Sequence, residues 1–557
     1  MDFVTTFIGN CIVNTFIRTF LIITAILFFN SNSIKAQKFV WAHNVSGGDM
    51  FSNGISTDKN GNSYTTGCFR NILTFGNHPL INHGDQDIYI AKYDSTGNCL
   101  WAKSAGGLSS DWGDAITVDG NGFAYVTGFF FSSAIFDTIH ISPHCLGFNM
   151  FLAKYDTMGN CSWVSQAASG KNIRGLGVSA DGKGNSFVTG YFTDTVILGS
   201  TQLISNGTEN IFLVKYNSDG NCLWAKQAGG RGYADGIAIS TDKQGNSYIT
   251  GRFEDTAKFE SVQLISTGDW DVFVAKYDSS GNLKWAKRAG GTYHDLGNGI
   301  SVDKNGNCYV TGSFFGPADF GINQLSGFNG YDIFIAKFDQ DGNCLWAKQA
   351  GGAGYDDGYA ISTDPDGNSY ITGDFVGNAT FGTIQITGSS DNRPYAAKYD
   401  NNGNCVWVKQ VVGFGAGYGI SNDAISNSYI SGNFGGTALF DTIQLSGGVI
   451  FITKLAYTVT DIKTATNIIP NNYLLSQNYP NPFNPTTTIN YSIPKEGNVR
   501  LTIYSAIGKK EATIVNEYKP AGNYSVQFNG NNLASGIYLY RLESWNFSAV
   551  KKLILIK

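Results

Sequence analysis

Six side chains at related places in the sequence are the best suited to bind a ligand. They lie directly before, or at the start of, short segments in which apolar and polar residues alternate, and they are Asp111, Trp112, Asp235, Asp295, Asp356 and Asp357. Carboxylates gathered in one cleft attract a cation or a basic or sugar ligand, and aromatic rings beside them add apolar contact area. The alternative is that the aspartates accept hydrogen bonds from turn backbone while the rings pack inside the fold.

A second acidic pattern consists of Asp, two further residues, Gly and Asn, and it begins at Asp58, Asp303 and Asp339 among other places. Asp can bond to the backbone two residues on, and Gly readily adopts the positive φ that closes a three-residue hairpin. Calcium-binding loops also begin with Asp, but they need further oxygen ligands that copies such as residues 278–281 lack. The pattern therefore predicts hairpin turns, with calcium binding as the alternative.

Motifs for catalysis or cofactor binding do not occur in a suitable context. The six histidines form no HExxH pattern, and neither a GxSxG nucleophile elbow nor a phosphate-binding loop lies between a strand and a helix. His140, His144 and Cys145 could form a soft metal site, but the sequence around them offers no obvious acidic partner. The sequence thus indicates no catalytic residues, no metal and no cofactor.

The elements that must position the candidate residues follow from a repeat. Seven tryptophans are spaced by 60 to 62 residues, and they are Trp41, Trp101, Trp163, Trp224, Trp285, Trp346 and Trp407. The surrounding sequence returns almost unchanged, as in GNCLWAKQAGG at both 220–230 and 342–352. Each repeat contains four strand-like segments. Four antiparallel strands in about 60 residues are typical of a propeller blade, so we predict an all-β chain with a seven-bladed β-propeller of four-stranded blades.

The two ends of the repeat region complement each other. The last repeat has its first three strands but no closing GNxxWAK strand, and the chain begins with the missing piece, KFVWAHNV at 38–45. The N-terminal strand is therefore predicted to complete the last blade, which would leave no free sheet edge between the first and last blades. In such a ring the six candidate residues lie around one mouth of the channel.

Repeat units such as DGNSYITGDF, DIFIAKYD and GNCLWAK resemble a bacterial β-propeller repeat family that is common in exported proteins. The resemblance covers about residues 38–455. It implies the fold but no single activity, because fold and function are not tied to each other.

Two other repeated positions are expected to be structural. Lysines of the AKY motif, such as Lys92, Lys276 and Lys337, are expected to be solvated strand residues. A cysteine lies two residues before the repeated Trp in five repeats, and in one repeat Leu283 takes its place. A position that accepts Cys or Leu predicts free thiols in small apolar sites.

The termini differ from the repeats. Residues 1–36 contain Arg18, a short apolar run and a small residue before Gln37, which predicts a secretory signal peptide, with a retained membrane anchor as the alternative. Residues 37–455 form the predicted propeller, 456–472 a Thr- and Asn-rich linker and 473–557 a small β-sandwich. This last segment resembles the C-terminal sorting domain of the type IX secretion system of Bacteroidetes, from NYPNPFNP to KKLILIK. The resemblance implies the type IX machinery as a partner and a secreted or outer-surface location.

Composition narrows the partners further. A net charge of −5 over 557 residues provides no basic field for phosphate groups, so nucleic acid is excluded as the main partner. We expect an exported, non-catalytic cell-surface or secreted protein with a binding or structural role and an unknown glycan or protein ligand. The alternatives are a secreted polysaccharide-active enzyme, which would need an acid pair specific to one blade, and a spacer.

Overall fold

The computed structural model of the protein describes residues 35–48, 50–459, 470 and 472–557. Every regular element in these residues is a β-strand, which confirms the all-β prediction. Within the described part, no helix has the length and apolar character needed to cross a membrane. The chain divides into two compact units, of which the larger is Lys35–Val459 and the other contains the C-terminal residues.

The larger unit contains seven antiparallel sheets built on four strands, here called blades, whose strands are named inner, second, third and outer. The inner strands are Met50–Thr57, Trp112–Val118, Ile173–Ala180, Ala234–Thr241, Asp295–Val302, Asp357–Thr363 and Val412–Asn422. The second strands are Ser63–Phe69, Ala124–Phe130, Ser186–Phe192, Ser247–Phe259, Cys308–Phe315, Ser369–Phe375 and Ser428–Phe440. The third strands are Asp87–Tyr93, Asn149–Tyr155, Asn210–Tyr216, Val262–Tyr277, Tyr331–Phe338, Arg393–Tyr399 and Ile450–Val459. The outer strands are Cys99–Gly107, Cys161–Gln166, Cys222–Ala228, Leu283–Gly291, Cys344–Gly352, Cys405–Gln410 and Lys35–Gly47.

The burial pattern explains why these segments fold into stacked blades. Third strands such as Asp87–Tyr93 are buried at every residue, because each blade is covered on both faces by its neighbours. Each hydrophobic cluster is shared by two blades, as where Val272 and Val274 of one blade pack with Val310 and Phe334 of the next. The seven inner strands surround a central channel with a cavity of about 340 Å³. The predicted propeller fold is confirmed.

The N-terminal strand closes the ring. Lys35–Gly47 pairs antiparallel with Ile450–Val459, with a β-bulge between Phe39 and Trp41. This confirms the predicted closure, but the strand begins inside the predicted signal segment 1–36 and its partner extends into the predicted linker 456–472. Apart from its last two residues, the signal segment lies outside the described residues.

A Trp and a Lys of each blade hold the next blade by one shared acceptor. Trp285 donates its indole N–H to the backbone oxygen of Gln340 at 2.8 Å, and Lys276 Nζ donates to the same oxygen at 3.2 Å. Lys276 also lies 5.0 Å from the centre of the Tyr248 ring, a cation–π distance. This arrangement, here called the Trp–Lys clamp, recurs where the ring closes, where Trp41 and Lys454 both donate to the Ser95 oxygen.

The prediction that the AKY lysines are solvated is therefore wrong. Lys92 and Lys337 are buried, and Lys276 is half-buried in the same arrangement. Burial lowers the pKa values of Lys92 and Lys337. Their charged groups lie over aromatic rings and donate to backbone oxygens of the next blade.

In six blades a short hairpin between the second and third strands pairs with the preceding blade, and in the seventh this hairpin pairs with Val412 at the start of the inner strand. In the first blade, the hairpin formed by Ile72–Phe75 and His78–Ile81 bonds to the end of Lys35–Gly47. Each blade is thus joined to its neighbour by backbone hydrogen bonds as well as by side-chain packing.

The Asp–Gly–Asn pattern forms hairpin turns, as predicted. Asp58 Oδ1 accepts the N–H groups of Asn60 and Asn62 at 2.8 and 3.0 Å, and the Asn62 amide donates to Oδ2 at 2.7 Å. Gly61 has a φ of 77°. Because both carboxylate oxygens already accept hydrogen bonds, the turn interpretation is favoured over calcium binding. The described cysteines are free, as expected.

The C-terminal unit has two facing sheets around one core. One sheet contains Leu474–Leu475, Thr486–Ile493 and Gly522–Asn529, and the other contains Lys510–Lys519, Gly497–Ser505, Gly536–Ser544 and Phe547–Leu555. Prolines fix φ and lack a donor N–H, so the sequence predicts an extended and unpaired stretch at residues 480–485, and this prediction is wrong. Phe483 is buried, and its N–H donates to the Ile554 oxygen at 2.9 Å.

Candidate functional site

The channel has two different mouths. At one, here called the turn mouth, Asp–Gly–Asn turns surround a cavity of about 480 Å³ lined by residues such as Asp242 and Asp303. The inner strands begin at the other, here called the entry mouth. All six predicted site residues lie at the start of inner strands and therefore at the entry mouth.

Three of the predicted aspartates accept hydrogen bonds from backbone, as the structural alternative for these residues expects. Asp295 is completely buried, and its carboxylate accepts the N–H groups of Gly291 at 2.6 Å and Phe315 at 3.3 Å. Asp111 and Asp356 are equally buried and accept the equivalent pairs of N–H groups. Each carboxylate joins the end of the outer strand of one blade to the end of the second strand of the next blade, or to the residue directly after it. A ligand at the entry mouth does not reach these groups.

Each of these three carboxylates faces a second buried aspartate, which sequence reasoning missed. A Cβ built on Gly290 would lie 2.7 Å from Asp295 Oδ2 and 2.8 Å from Asp271 Oδ1, so the two carboxyl groups flank one glycine. Asp87 faces Asp111 and Asp332 faces Asp356 in the same way. The Oδ1 atoms of the third-strand aspartates, Asp87, Asp271 and Asp332, have no hydrogen-bond partner among the described residues.

The sequence does contain a signal for these pairs. Where the third-strand position is not Asp, the facing position is not Asp either, and the four combinations are Asn149 with Ile173, Asn210 with Ala234, Arg393 with Gly415, and Val449 with Met50. The two acids therefore occur together or not at all. Burial raises the pKa of Asp332 to about 7 and that of Asp356 to about 6, and neighbouring carboxylates, Asp357 included, add to the shifts.

These pairs predict a pH-dependent stability. Above pH 3.8, the ordinary pKa of Asp, these carboxyl groups keep their protons in the folded chain but lose them in the unfolded chain. The free energy of unfolding therefore falls as the pH rises towards 6 to 7, where the folded chain also loses the protons. Asp332→Asn removes one buried charge. We expect the change that it causes in the free energy of unfolding to be more favourable at pH 8 than at pH 5, by on the order of 1 kcal/mol. Thermal unfolding at both pH values measures this difference. Asp341→Asn, at an exposed turn, is the control, and an equal loss of stability at both pH values would contradict the prediction.

The other predicted residues, Trp112, Asp235 and Asp357, occupy the next position of their strands. At this position one residue of the inner strand lies directly opposite one residue of the second strand of the same blade, and we call the two residues a mouth pair. The seven mouth pairs are Phe51–Cys68, Trp112–Phe129, Arg174–Tyr191, Asp235–Arg252, Leu296–Ser313, Asp357–Asp374 and Ala416–Asn433. No two pairs are alike, although the second-strand member always lies between Gly and Phe. That glycine is required in the sixth pair, because a Cβ on Gly373 would lie 1.8 Å from the Asp357 carbonyl oxygen.

One side of the entry mouth is aromatic. The Trp112 ring stacks between Phe51 and Phe129, with ring centres 5.8 and 5.9 Å away. The Arg174 guanidinium lies 4.7 Å from the centre of the Phe129 ring and forms two hydrogen bonds with Asp114, at 2.6 and 2.8 Å. Phe51 is 44% exposed, so this aromatic cluster reaches solvent.

The charged mouth pairs fall into two kinds. Asp235 accepts a hydrogen bond from Arg252 Nε at 2.8 Å, and this guanidinium lies 4.0 Å from the centre of the Trp270 ring. Asp357 and Asp374 face each other without a basic partner among the described residues. Sequence reasoning missed Arg174, Arg252 and Asp374, although the variable residue between Gly and Phe in each second strand marks the last two.

Within the described ranges, no three His, Cys, Asp or Glu side chains come together as a metal site would require. The entry mouth therefore offers an aromatic platform, two neutralised ion pairs and one acidic pair. Such a surface can hold a ligand by stacking and by charge.

Known families match parts of each unit. Residues 477–557 match the model of a secretion system C-terminal sorting domain. Residues 223–252, 284–313 and 345–374 match the model of a beta-propeller repeat. Both resemblances noted in the sequence are confirmed. The chain carries propeller repeats and, C-terminal to them in the sequence, a type IX sorting domain.

Similar proteins share only parts of their length with this chain. The chain is 24% identical over 463 residues to an uncharacterised WD repeat-containing protein of Acanthamoeba polyphaga mimivirus. This alignment covers 64% of the chain and 33% of the viral protein. The chain is 25% identical over 214 residues to the regulatory protein FlaEY of Caulobacter vibrioides, which covers 35% of this chain and 22% of that protein. The chain thus spans about a third or less of these relatives.

Solved structures are also similar in part. PorZ, a surface component of the type-IX secretion system of Porphyromonas gingivalis, matches with 12% identity and a TM-score of 0.25, over 91% of this chain and 81% of that chain. YCF48 bound to a D1 peptide matches with 8% identity and a TM-score of 0.28, over 61% and 89%. A copper-containing fungal alcohol oxidase matches with 11% identity and a TM-score of 0.36, over 93% and 99%. At these scores the likenesses carry no functional argument.

Proposed function

We propose that this protein is a non-catalytic binding protein, exported by the type IX system, whose ligand site is the entry mouth of the propeller. The observation that carries the proposal is the set of mouth pairs. Framework segments such as GNCLWAKQAGG recur from blade to blade, yet no two mouth pairs have the same combination of residues. A ligand held at one end of a channel faces all seven blades at once, so the exposed side chains among these pairs, such as Phe51, give a regular scaffold a specific surface.

The exposed aromatic cluster supports a binding role. Phe51 is 44% exposed and stacks on Trp112, whose indole N–H is held by the Gln86 side chain at 2.8 Å. Aromatic rings held rigidly at a surface bind sugars or protein side chains with little loss of conformational entropy. The ligand class remains glycan or protein.

The alternative of a polysaccharide-active enzyme requires two carboxyl groups that both reach the substrate. Asp357–Asp374 is the acid pair specific to one blade, but Asp374 is completely buried. A buried carboxyl group does not protonate a glycosidic oxygen or activate a water beside it. This argues for binding without catalysis.

The test is a glycan array together with a pull-down from extracellular material, using the purified exported protein. We expect Phe51→Ala and Trp112→Ala each to weaken binding of any ligand found by about tenfold, as for aromatic residues at the centre of an interface. Lys304→Ala, on the exposed turn mouth, is the matched control and is expected to bind normally.

Two results would contradict the proposal. One is binding that falls equally in the turn-mouth control, which would place the ligand elsewhere. The other is release of reducing sugar ends from a bound polysaccharide, which would favour the enzyme. Circular dichroism of each variant separates a loss of binding from a loss of folding.

A further inference from the structure

Among the seven mouth pairs, Asp357–Asp374 is the one in which two like charges face each other. Asp357 and Asp374 are direct cross-strand neighbours, and like charges in that arrangement destabilise a sheet. Asp374 is completely buried, its Oδ2 accepts a hydrogen bond from the Asn392 amide, and its Oδ1 has no partner among the described residues. The fold thus retains a costly, incompletely satisfied pair of carboxylates at the edge of the channel.

The charged residues of the other mouth pairs are neutralised within the protein. The guanidinium of Arg174 bonds to both oxygens of Asp114, and Arg252 bonds to Asp235. No basic side chain of the described residues forms an ion pair with Asp357 or Asp374. The nearest titratable groups are acids and phenols, namely Asp356, Tyr359, Tyr395 and Tyr418, so they add no positive charge. The sixth blade therefore presents an uncompensated negative site.

The surroundings of the pair match an organic cation. Asp357 is partly exposed, and it accepts a hydrogen bond from the Tyr359 hydroxyl at 3.4 Å. The Tyr359 and Tyr418 rings lie 5.1 Å apart and line the channel cavity. Aromatic faces attract an alkylammonium group, and carboxylates behind them strengthen that attraction. Calcium prefers six to eight oxygens, and the described acids do not form a group of three here.

We propose that the Asp357–Asp374 pair and the two tyrosines form a subsite for a primary alkylammonium group, such as a lysine side chain of a bound partner. The inference rests on the proposed function, because it assigns one chemical feature to the ligand of the entry mouth. The ammonium group contacts Asp357 and the rings of Tyr359 and Tyr418. Asp374 lies behind Asp357 and acts through its charge, as a positioning residue rather than a contact.

The experiment titrates the full exported protein with the peptide acetyl-Gly-Lys-Gly-amide by calorimetry. The uncharged peptide acetyl-Gly-norleucine-Gly-amide is the matched probe, and cadaverine and calcium chloride are separate arms. We expect saturable binding of the lysine peptide and about tenfold weaker binding of the norleucine peptide, as for the loss of one partly buried ion pair. Asp357→Asn is expected to abolish this preference, and Asp374→Asn to reduce it by a smaller factor.

The pH dependence gives a second readout that a structural role would not produce. Burial, together with the charge of Asp357, raises the pKa of Asp374 to about 7. Protonation below that pH removes the second charge, so we expect the affinity for the lysine peptide to fall between pH 8 and pH 5 in the wild type. The fall is expected to be smaller in Asp374→Asn, where Asp357 still titrates because burial raises its own pKa. If Asp357→Asn does not fold, this profile and the Asp374→Asn variant still test the proposal.

Several outcomes would overturn the inference. They are equal binding of the two peptides, no saturable binding of either amine, and tight binding of calcium that excludes the lysine peptide. Binding of cadaverine alone would support the ammonium subsite and identify a free amine as its source. A glycan or protein ligand of the entry mouth that binds Asp357→Asn normally would overturn this inference but leave the proposed function intact.

Discussion

Deletion of residues 37–46 is expected to lower the melting temperature of the propeller by more than about 10 °C, or to prevent folding altogether. The deleted segment is most of the outer strand that closes the ring on Ile450–Val459. It contributes Phe39, Ala42 and Val45 to the core, and burying an apolar side chain such as Phe or Val contributes about 1.5–3 kcal/mol. The deletion also removes Trp41 and with it the Trp41 hydrogen bond of one Trp–Lys clamp. Thermal unfolding followed by circular dichroism measures the loss.

Two substitutions on the same strand serve as matched variants. Val45→Ala, at a buried position, is expected to cost about 1 kcal/mol or more, while Val40→Ala, at a position that is 45% exposed, is expected to have little effect. A deletion that leaves the melting temperature unchanged would show that the ring does not depend on this strand.

Removal of residues 471–557 is expected to abolish export across the outer membrane and to leave a folded propeller in the periplasm. Nearly all of this segment matches a secretion system sorting domain. It also has its own core, formed by residues such as Ile489, Leu501 and Leu542 of both its sheets. No blade includes a strand from it, so the propeller does not need it for its sheets. Fractionation of a type IX-competent host, with immunoblotting of the periplasm, surface and medium, measures the effect.

The control for the truncation is Ile507→Ser, which changes an exposed turn residue of the C-terminal unit and is expected to be exported normally. Limited proteolysis of the periplasmic protein checks that the truncated chain is folded. Normal amounts of the truncated chain in the medium would mean that the segment is an accessory domain and that export follows another route.

The fold could be predicted from the sequence because its repeat specifies the same packing several times. The spacing of the tryptophans and the missing last strand were sufficient to predict the closure by residues 38–45, which the pairing of Lys35–Gly47 confirms. The boundaries were less accurate, because the repeat pattern ends before Ala456 while the strand continues to Val459 through residues that favour β-structure. The role of the AKY lysines was also missed, because a strand pattern does not show that a carbonyl oxygen of the next blade lies within reach.

The six candidate residues lie together at one mouth, but sequence could not distinguish the buried ones from the partly exposed ones. Neighbouring residues such as Asp356 and Asp357 look alike in sequence, yet one is enclosed by two backbone N–H groups while the other is partly exposed. A one-residue step along a strand turns the side chain to the opposite face, so identity and spacing alone do not separate the two. Asp374 was missed because its meaning depends on its cross-strand partner.

The hairpin of the first blade bears on how the chain behaves as it emerges from a ribosome or a translocation channel. The strand Lys35–Gly47 appears first, but its main partner, Ile450–Val459, appears roughly 400 residues later, as the pairing register shows. Ser46 and Gly47 meanwhile bond to Thr74 and Leu73, only 26 to 28 residues away. Contacts between residues close in sequence form early and at small entropic cost. We therefore expect the C-terminal end of Lys35–Gly47 to pair with the first blade early, while the rest of its edge stays unpaired until Ile450–Val459 is made.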